Sequence, residues 1–147
     1  MKTLFAVALM LFAWEPARGQ ETAGASITAQ MTGTWSCVSA TINGKPLSES
    51  AVRKLRLTMT ETRYKTERSD EVLFDSAYRL DATKAPVQIN MVGTEGDLIG
   101  KEAQGIIAVE GDALKICYTM PGRLRPVSFA SATNSEAYLI IWKREKQ

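Results

Sequence analysis

Histidine is absent from the 147-residue sequence, and cysteine occurs only twice. Histidine is the commonest general acid or base near neutral pH and the commonest ligand of transition metals. A nucleophilic cysteine also needs an activating group, often a neighbouring histidine. We therefore expect no catalytic residue, no bound metal and no cofactor. A non-enzymatic protein is the interpretation that we follow, and an uncharacterised enzyme is the third alternative.

Neither sign of charge dominates the chain. It has 18 lysines and arginines against 16 aspartates and glutamates, and these residues are interspersed without a basic block or an acidic tail. Domains that bind nucleic acid usually concentrate lysine and arginine on one face. We therefore expect no nucleic-acid partner.

Long apolar runs are also missing. The longest, from Leu4 to Trp14, is well short of the roughly 20 residues that a membrane-spanning helix needs. It follows Lys2 and precedes a stretch of small residues, which is the layout of a cleavable secretory signal. We predict a signal peptide over 1–19, a flexible leader over 20–30 and one domain over 31–147. The mature protein is then exported, periplasmic or secreted, without a stable membrane span, and its oligomeric state is left open.

The domain has the pattern of short strands separated by turns. Residues 55–60 alternate apolar and polar side chains, the period of two that a half-buried strand shows. The dipeptide at 43–44, Asn-Gly, favours a tight hairpin turn, and Ser48 is placed to cap one short helical turn within 46–54. The predicted strands are 34–42, 55–60, 63–67, 72–80, 87–92, 106–109, 113–119, 127–130 and 138–143.

These strands predict an all-β fold, a single closed antiparallel β-barrel of about eight strands, with one short helical turn after the first strand. An open sheet of this size would leave two unpaired edges and one uncovered apolar face, and the sequence offers no long helix to cover them. Closing the sheet removes both problems.

Gly33-Thr34-Trp35, at the start of the first strand, resembles the glycine-any-tryptophan signature of lipocalins. In lipocalins a basic residue after the last strand packs across the indole, a cation over an aromatic face, and closes the barrel floor. The resemblance implies this role for Arg144 or Lys143, with Arg144 preferred for its planar head. Gly33, Trp35 and Arg144 are thus the expected structural residues of the barrel floor.

The domain as a whole is similar to a narrower group, the uncharacterised lipocalin-like domain that is abundant in exported planctomycete proteins. The segments that carry the similarity are 33–35 with 43–47, 78–81 with 84 and 86, 111–118, and 121–122 with 125–126. The resemblance implies a lipocalin-like fold and no agreed activity. Function therefore has to be argued from the site.

Strand alternation places a set of bulky apolar side chains inside the barrel. An eight-stranded barrel is wide enough either to be filled by its own side chains or to hold one small ligand, and both alternatives remain open. If a ligand binds, the expected partner is a small, largely apolar molecule held by burial of apolar surface. The predicted ligand-lining residues are Leu57, Met59, Tyr64, Tyr78, Ile89, Met91, Ile107, Leu114, Ile116 and Tyr118.

The alternative function is a structural or protein-interaction domain that has a filled core and acts through its outer surface. Val38, Leu73 and Ile140 are predicted to face outwards and to form an apolar strip. The loop 123–126 is a second candidate surface. Its two arginines are expected to belong to an ordinary charged loop, and a small anion-attracting lip at the barrel mouth is the alternative.

The two cysteines leave a disulfide open. Cys37 and Cys117 form an even pair in a chain predicted to be exported, where disulfides persist. By strand parity Cys37 shares a face with Trp35, whereas Cys117 points away from Ile116. Side chains on opposite faces of a barrel wall do not bridge, so parity argues against the bond. Without it, we expect Cys37 to be a small buried hydrophobe and Cys117 a semi-exposed thiol.

Overall fold

The computed structural model describes residues 27–146. The predicted signal peptide and most of the predicted leader lie outside the described residues. Residues 27–31 are helical and form α1, so the last part of the predicted leader belongs to the fold. The short helix expected after the first strand is α2, Glu49–Val52. The strands of the described region are β1 (Gly33–Ile42), β2 (Lys45–Pro46), β3 (Leu55–Met59), β4 (Arg63–Arg68), β5 (Glu71–Asp81), β6 (Val87–Gly93), β7 (Glu102–Glu110), β8 (Ala113–Thr119) and β9 (Ala137–Arg144).

The sheet closes on itself. The strand order is β2-β1-β3-β4-β5-β6-β7-β8-β9, and β1 also pairs with β9. Gly33 of β1 lies opposite Met59 of β3, and Trp35 lies opposite Arg144 of β9, both in antiparallel register. Eight strands therefore form a closed antiparallel barrel, while β2 is a two-residue addition to the end of β1. The predicted all-β closed barrel is confirmed.

The connection between β1 and β3 follows the local sequence signals. Asn43 and Gly44 have φ angles of 52° and 80°, the left-handed conformation that a tight hairpin turn requires at both central positions. The Ser48 hydroxyl accepts a hydrogen bond from the Ala51 N–H at 3.2 Å and so caps α2.

The predicted strand at 127–130 is wrong. These residues belong to an irregular segment, residues 120–136, which we call the outer loop. Strand β8 already pairs with both β7 and β9, so the closed barrel offers no free edge for a further strand there. The outer loop instead covers part of the outer barrel face, where Phe129 packs against Ile106 and Cys117.

The two ends of the barrel differ. The closed end contains the start of β1, the end of β9 and the turns that follow β3, β5 and β7, whereas the open end contains the other connections. Helix α1 lies at the closed end, where Met31 is fully buried and its carbonyl accepts a 2.9 Å hydrogen bond from Trp35 Nε1.

Two strand irregularities lie towards the open end. In the β1–β9 register the extra residue is Val38, and in the β4–β5 register it is Leu73. A bulge shifts which face of the sheet the later residues meet. Beyond Val38 the inward positions of β1 are consequently Ala40 and Ile42, which both line the open half of the barrel.

Candidate ligand cavity

A cavity of about 350 Å³ lies in the open half of the barrel. Its innermost lining residue along β9 is Trp142, its walls include Tyr118 and Ile140, and its rim includes Leu47 and Leu98. Thirteen of the fifteen described lining residues are apolar or aromatic. The volume falls within the range of small-molecule sites, roughly 300–1,000 Å³. The cavity therefore suits a small apolar group.

Side-chain size explains why one half of the barrel is filled and the other is hollow. Towards the closed end the interior holds Met31, Trp35 and Tyr64, which have no exposed surface. Towards the open end the inward positions include Ala40 and Thr66, which are much smaller. Well-packed interiors leave few voids, so the free volume collects where the small residues lie.

The ten residues predicted to line a ligand site fall into two groups. Tyr118 lines the cavity. The other nine are at most 7% exposed and form the packed core between the cavity and the closed end. The sequence left open whether the barrel is filled by its own side chains or holds a ligand. The filled core occupies the half towards the closed end, and the cavity occupies the open half. The nine core residues are Leu57, Met59, Tyr64, Tyr78, Ile89, Met91, Ile107, Leu114 and Ile116.

Three cavity residues on β9 were missed as ligand-lining positions: Tyr138, Ile140 and Trp142. The Tyr138 ring stacks on the Tyr118 ring with 5.0 Å between the centroids, so the two side chains form one aromatic wall. Tyr138 and Trp142 are four residues apart and therefore share a face of the strand. This four-residue spacing of Tyr138 and Trp142 is the sequence signal that could have identified β9 as part of the cavity wall.

Two polar atoms beside the inner end of the cavity lack hydrogen bonds. Trp142 Nε1 and the Tyr64 hydroxyl are buried and have no partner among the described residues. Burial raises the pKa of Tyr64 well above its ordinary value of 10.0, and the neighbouring Trp142 indole N–H acts in the opposite direction. The two groups therefore lie close to each other. Such unsatisfied buried groups are rare in native structures.

Charge at the cavity is confined to the rim. Arg68 is the one cation among the described lining residues, and its Nη2 lies 2.9 Å from Glu71 Oε2. Both side chains are more than half exposed, so this pair remains in water. An anionic group at the inner end of the cavity would be desolvated without a counterion, which is costly.

The residues predicted for the barrel floor meet at the closed end. The Arg144 guanidinium lies 4.2 Å from the centroid of the Trp35 ring. Its Nη1 donates a 3.0 Å hydrogen bond to the Thr32 carbonyl, and its Nη2 donates to the Gln30 carbonyl. Gly33 lies beside the same guanidinium, because a Cβ added there would be 3.1 Å from Arg144 Nη1. These contacts join β1, β9 and the segment around α1.

Of the three residues predicted to face outwards, Ile140 does not. It is 6% exposed and lines the cavity, opposite Ile116 in the β8–β9 register. Residues 138–142 are apolar at every position, so a period of two does not select a face there. Val38 is 56% exposed as predicted, and Leu73 is partly exposed while also contributing to the cavity.

The arginines of the outer loop do not form the anion-attracting lip that the sequence left as an alternative to a charged loop. Arg125 Nη1 donates to the carbonyls of Ile89 and Gly105 at 2.9 and 2.7 Å. Arg123 Nε lies 2.5 Å from Glu136 Oε2. Arg125 therefore attaches the outer loop to β6 and β7, and the charge of Arg123 is balanced within the loop.

Both cysteines are free thiols. Cys117 is fully buried beneath the outer loop, where its Sγ donates to the Ala130 carbonyl at 3.4 Å, so the predicted semi-exposed state is wrong. Cys37 is partly buried, and burial raises its pKa to about 11. Burial also raises the pKa of Cys117. Thiols with raised pKa values are poor nucleophiles at neutral pH because the thiolate is the reactive form.

Two kinds of feature are absent from residues 27–146, a metal-binding cluster and a membrane-spanning helix. No group of three or more cysteine, aspartate or glutamate side chains in this range is arranged to hold a metal ion. No helix in the same range has the length and apolar character needed to cross a membrane.

Comparisons with known proteins find no match to a family model, to a curated protein or to a solved structure. The class of the protein therefore rests on its architecture. It is a closed eight-stranded antiparallel barrel, an architecture compatible with a lipocalin-like fold.

Proposed function

We propose that the protein is an exported, non-enzymatic binding module of the lipocalin-like kind that holds a small, largely apolar molecule in its cavity. The segments similar to the planctomycete lipocalin-like domain and the signal-like N-terminus support the family and the export. The observation that carries the binding function is the apolar cavity of about 350 Å³ at the open end.

The mechanism of binding is burial of apolar surface in a rigid container. Each square ångström of apolar ligand surface removed from water contributes about 25 cal/mol. The closed sheet and the packed core towards the closed end hold the cavity walls in place. This limits the conformational entropy that is lost when a ligand binds. A water molecule occupies about 30 Å³ of liquid, so the cavity has room for about a dozen non-hydrogen atoms.

The test is a thermal-shift screen of the mature protein, residues 20–147, against fatty acids, isoprenoids and aromatic dyes. A ligand that binds only the folded state stabilises it, and a free concentration of 100 times Kd adds about 2.7 kcal/mol. We expect at least one apolar compound to raise Tm by about 5 °C or more.

A matched pair of variants ties any shift to the cavity. Ala51 of α2 lines the cavity, whereas its neighbour Ser50 is exposed and does not. Ala51→Trp should obstruct the cavity and abolish the shift, and Ser50→Trp should retain it. If no compound in the panel shifts Tm, or if both variants respond like the wild type, the proposed function is wrong.

A second candidate function is protein interaction through the outer loop. Leu124 and Val127 are 89% and 90% exposed and lie on either side of the anchored Arg125. Neighbouring exposed apolar side chains that form a contiguous patch are a mark of interaction sites. This function would replace the first if the screen finds no ligand while Leu124→Ser with Val127→Ser removes a partner captured from the native source.

A further inference from the structure

We propose, on the basis of the binding function above, that the ligand is neutral and carries an oxygen acceptor at the end that enters first, where it accepts a hydrogen bond from Trp142 Nε1. Trp142 lines the cavity on β9, and its Nε1 is an unpartnered donor. Its neighbour, the Tyr64 hydroxyl on β4, is a second buried polar group without a hydrogen-bond partner among the described residues. The ligand class is thus a ketone, ester or similar neutral carbonyl compound with an apolar body.

In the unliganded protein Trp142 Nε1 has no hydrogen-bond partner among the described residues. A buried donor without a partner carries its full desolvation penalty, whereas a satisfied donor does not. Trp142 Nε1 is screened from the empty cavity, so the acceptor reaches it through a small side-chain adjustment of the kind that accompanies binding. The adjustment is favoured because it satisfies a donor that the free protein leaves orphaned.

The neutral charge of the ligand follows from the distribution of cations. Arg68, the cation among the described lining residues, lies at the rim and pairs with Glu71. A carboxylate placed beside Trp142 would gain one N–H donor but lose its hydration without a counterion. A neutral carbonyl gains the same donor at a smaller cost. The inner end of the cavity therefore selects against anions.

The experiment measures equilibrium binding of three probes of similar shape by calorimetry. Benzylacetone carries a ketone, isopentylbenzene replaces the carbonyl oxygen with a methyl group, and phenylpropanoate carries a carboxylate. The readout is the ratio of the benzylacetone affinity to the isopentylbenzene affinity, which we expect to be about threefold to tenfold higher in the wild-type protein than in Trp142→Phe. Phenylpropanoate should bind more weakly than benzylacetone at pH 8, where it is ionised.

Variants assign the preference to the orphaned groups. In Trp142→Phe the ketone would enter the site without the indole donor, so the ratio of ketone affinity to hydrocarbon affinity should fall by that factor. Tyr64→Phe should also reduce the preference for the ketone, because it removes the second unpartnered buried donor, which lies beside Trp142 and would donate to the same carbonyl oxygen. Tyr138→Phe is the matched control, because it removes a different hydroxyl from the cavity wall and leaves Trp142 in place. Tyr138→Phe should keep the wild-type ratio of ketone affinity to hydrocarbon affinity.

The outcomes separate this inference from the proposed function. If Trp142→Phe keeps the wild-type ratio of ketone affinity to hydrocarbon affinity, the inference is wrong while binding itself stands. If none of the three probes binds and the wider screen is also negative, the proposed function fails. Should Trp142→Phe not fold, Tyr64→Phe alone decides, because loss of an orphaned hydroxyl is expected to leave stability unchanged or raised.

Discussion

Arg144 connects three separate pieces of chain at the closed end of the barrel. Its guanidinium covers the Trp35 ring and donates to the Thr32 and Gln30 carbonyls. Gly33 has a φ of +138°, a conformation that side chains with a Cβ rarely adopt, and it also lies against the guanidinium. Gly33 and Arg144 therefore depend on each other, because a side chain at position 33 would crowd the guanidinium that covers Trp35.

Replacing Arg144 with methionine should lower the free energy of unfolding by about 2 kcal/mol, because the cation–aromatic contact and two charged hydrogen bonds are lost. Lys143→Met is the matched control, since Lys143 is its exposed neighbour on the same strand. That variant should change stability by less than about 0.5 kcal/mol. Urea unfolding measures both values, and equal losses in the two variants would contradict this role for Arg144.

Among the elements, the outer loop has no strand partner and is attached to the barrel by side-chain contacts. Arg125 donates hydrogen bonds to β6 and β7, the Thr119 hydroxyl donates to the Leu124 carbonyl, and Phe129 packs on the outer face. Segments with few anchoring contacts open locally more often than strands do. The loop is what keeps Cys117 out of solvent.

Arg125→Met should therefore raise the rate at which Cys117 reacts with an aromatic disulfide reagent by about tenfold or more, since the lost hydrogen bonds to a charged donor shift the loop towards its open form. The measurement uses a Cys37→Ser background, so that one thiol reports. Arg123→Met, which removes an exposed ion pair, is the control and should leave the rate nearly unchanged. The same rate in all three proteins would show that Arg125 does not hold the loop.

At the scale of the whole molecule, the barrel buries several thiol and tyrosine hydroxyl groups that release a proton at alkaline pH. Burial raises the pKa of Cys37 from 9.0 to about 11 and that of Tyr78 from 10.0 to about 12, and it also raises the pKa of Tyr64, Tyr118 and Cys117. In alkaline solution the unfolded chain releases these protons first, so the folded state binds more protons. The stability contributed by these groups is complete below about pH 9 and is lost as pH rises through the folded values.

We expect the free energy of unfolding to fall steadily between about pH 9 and pH 12, and to show no histidine-linked change between pH 5 and pH 8 because the chain has no histidine. Urea unfolding at a series of pH values measures this dependence. Cys37→Ser should remove part of the decline that begins near pH 9. Constant stability up to pH 11 would contradict the burial of these groups.

Prediction from the sequence succeeded where a local signal and the global fold agree. The Asn43-Gly44 turn, the Ser48 cap and the alternation of residues 55–59 each depend on neighbouring residues alone. The interior position of the ten predicted ligand-lining residues follows from the same alternation, although nine of them fill the core. The failures at Ile140 and 127–130 arose where every residue of a strand is apolar or where the pairing of other strands leaves no edge.

The sequence by itself determined the all-β class, the closure of the barrel and the set of side chains that points inwards, because a period of two and the cost of unpaired edges act at every strand. Only the tertiary structure decided where the free volume lies, which polar groups remain unsatisfied beside it and how the outer loop covers Cys117. These features depend on bulges, on side-chain sizes summed across the barrel and on contacts between residues far apart in the chain. No single stretch of sequence therefore predicts them.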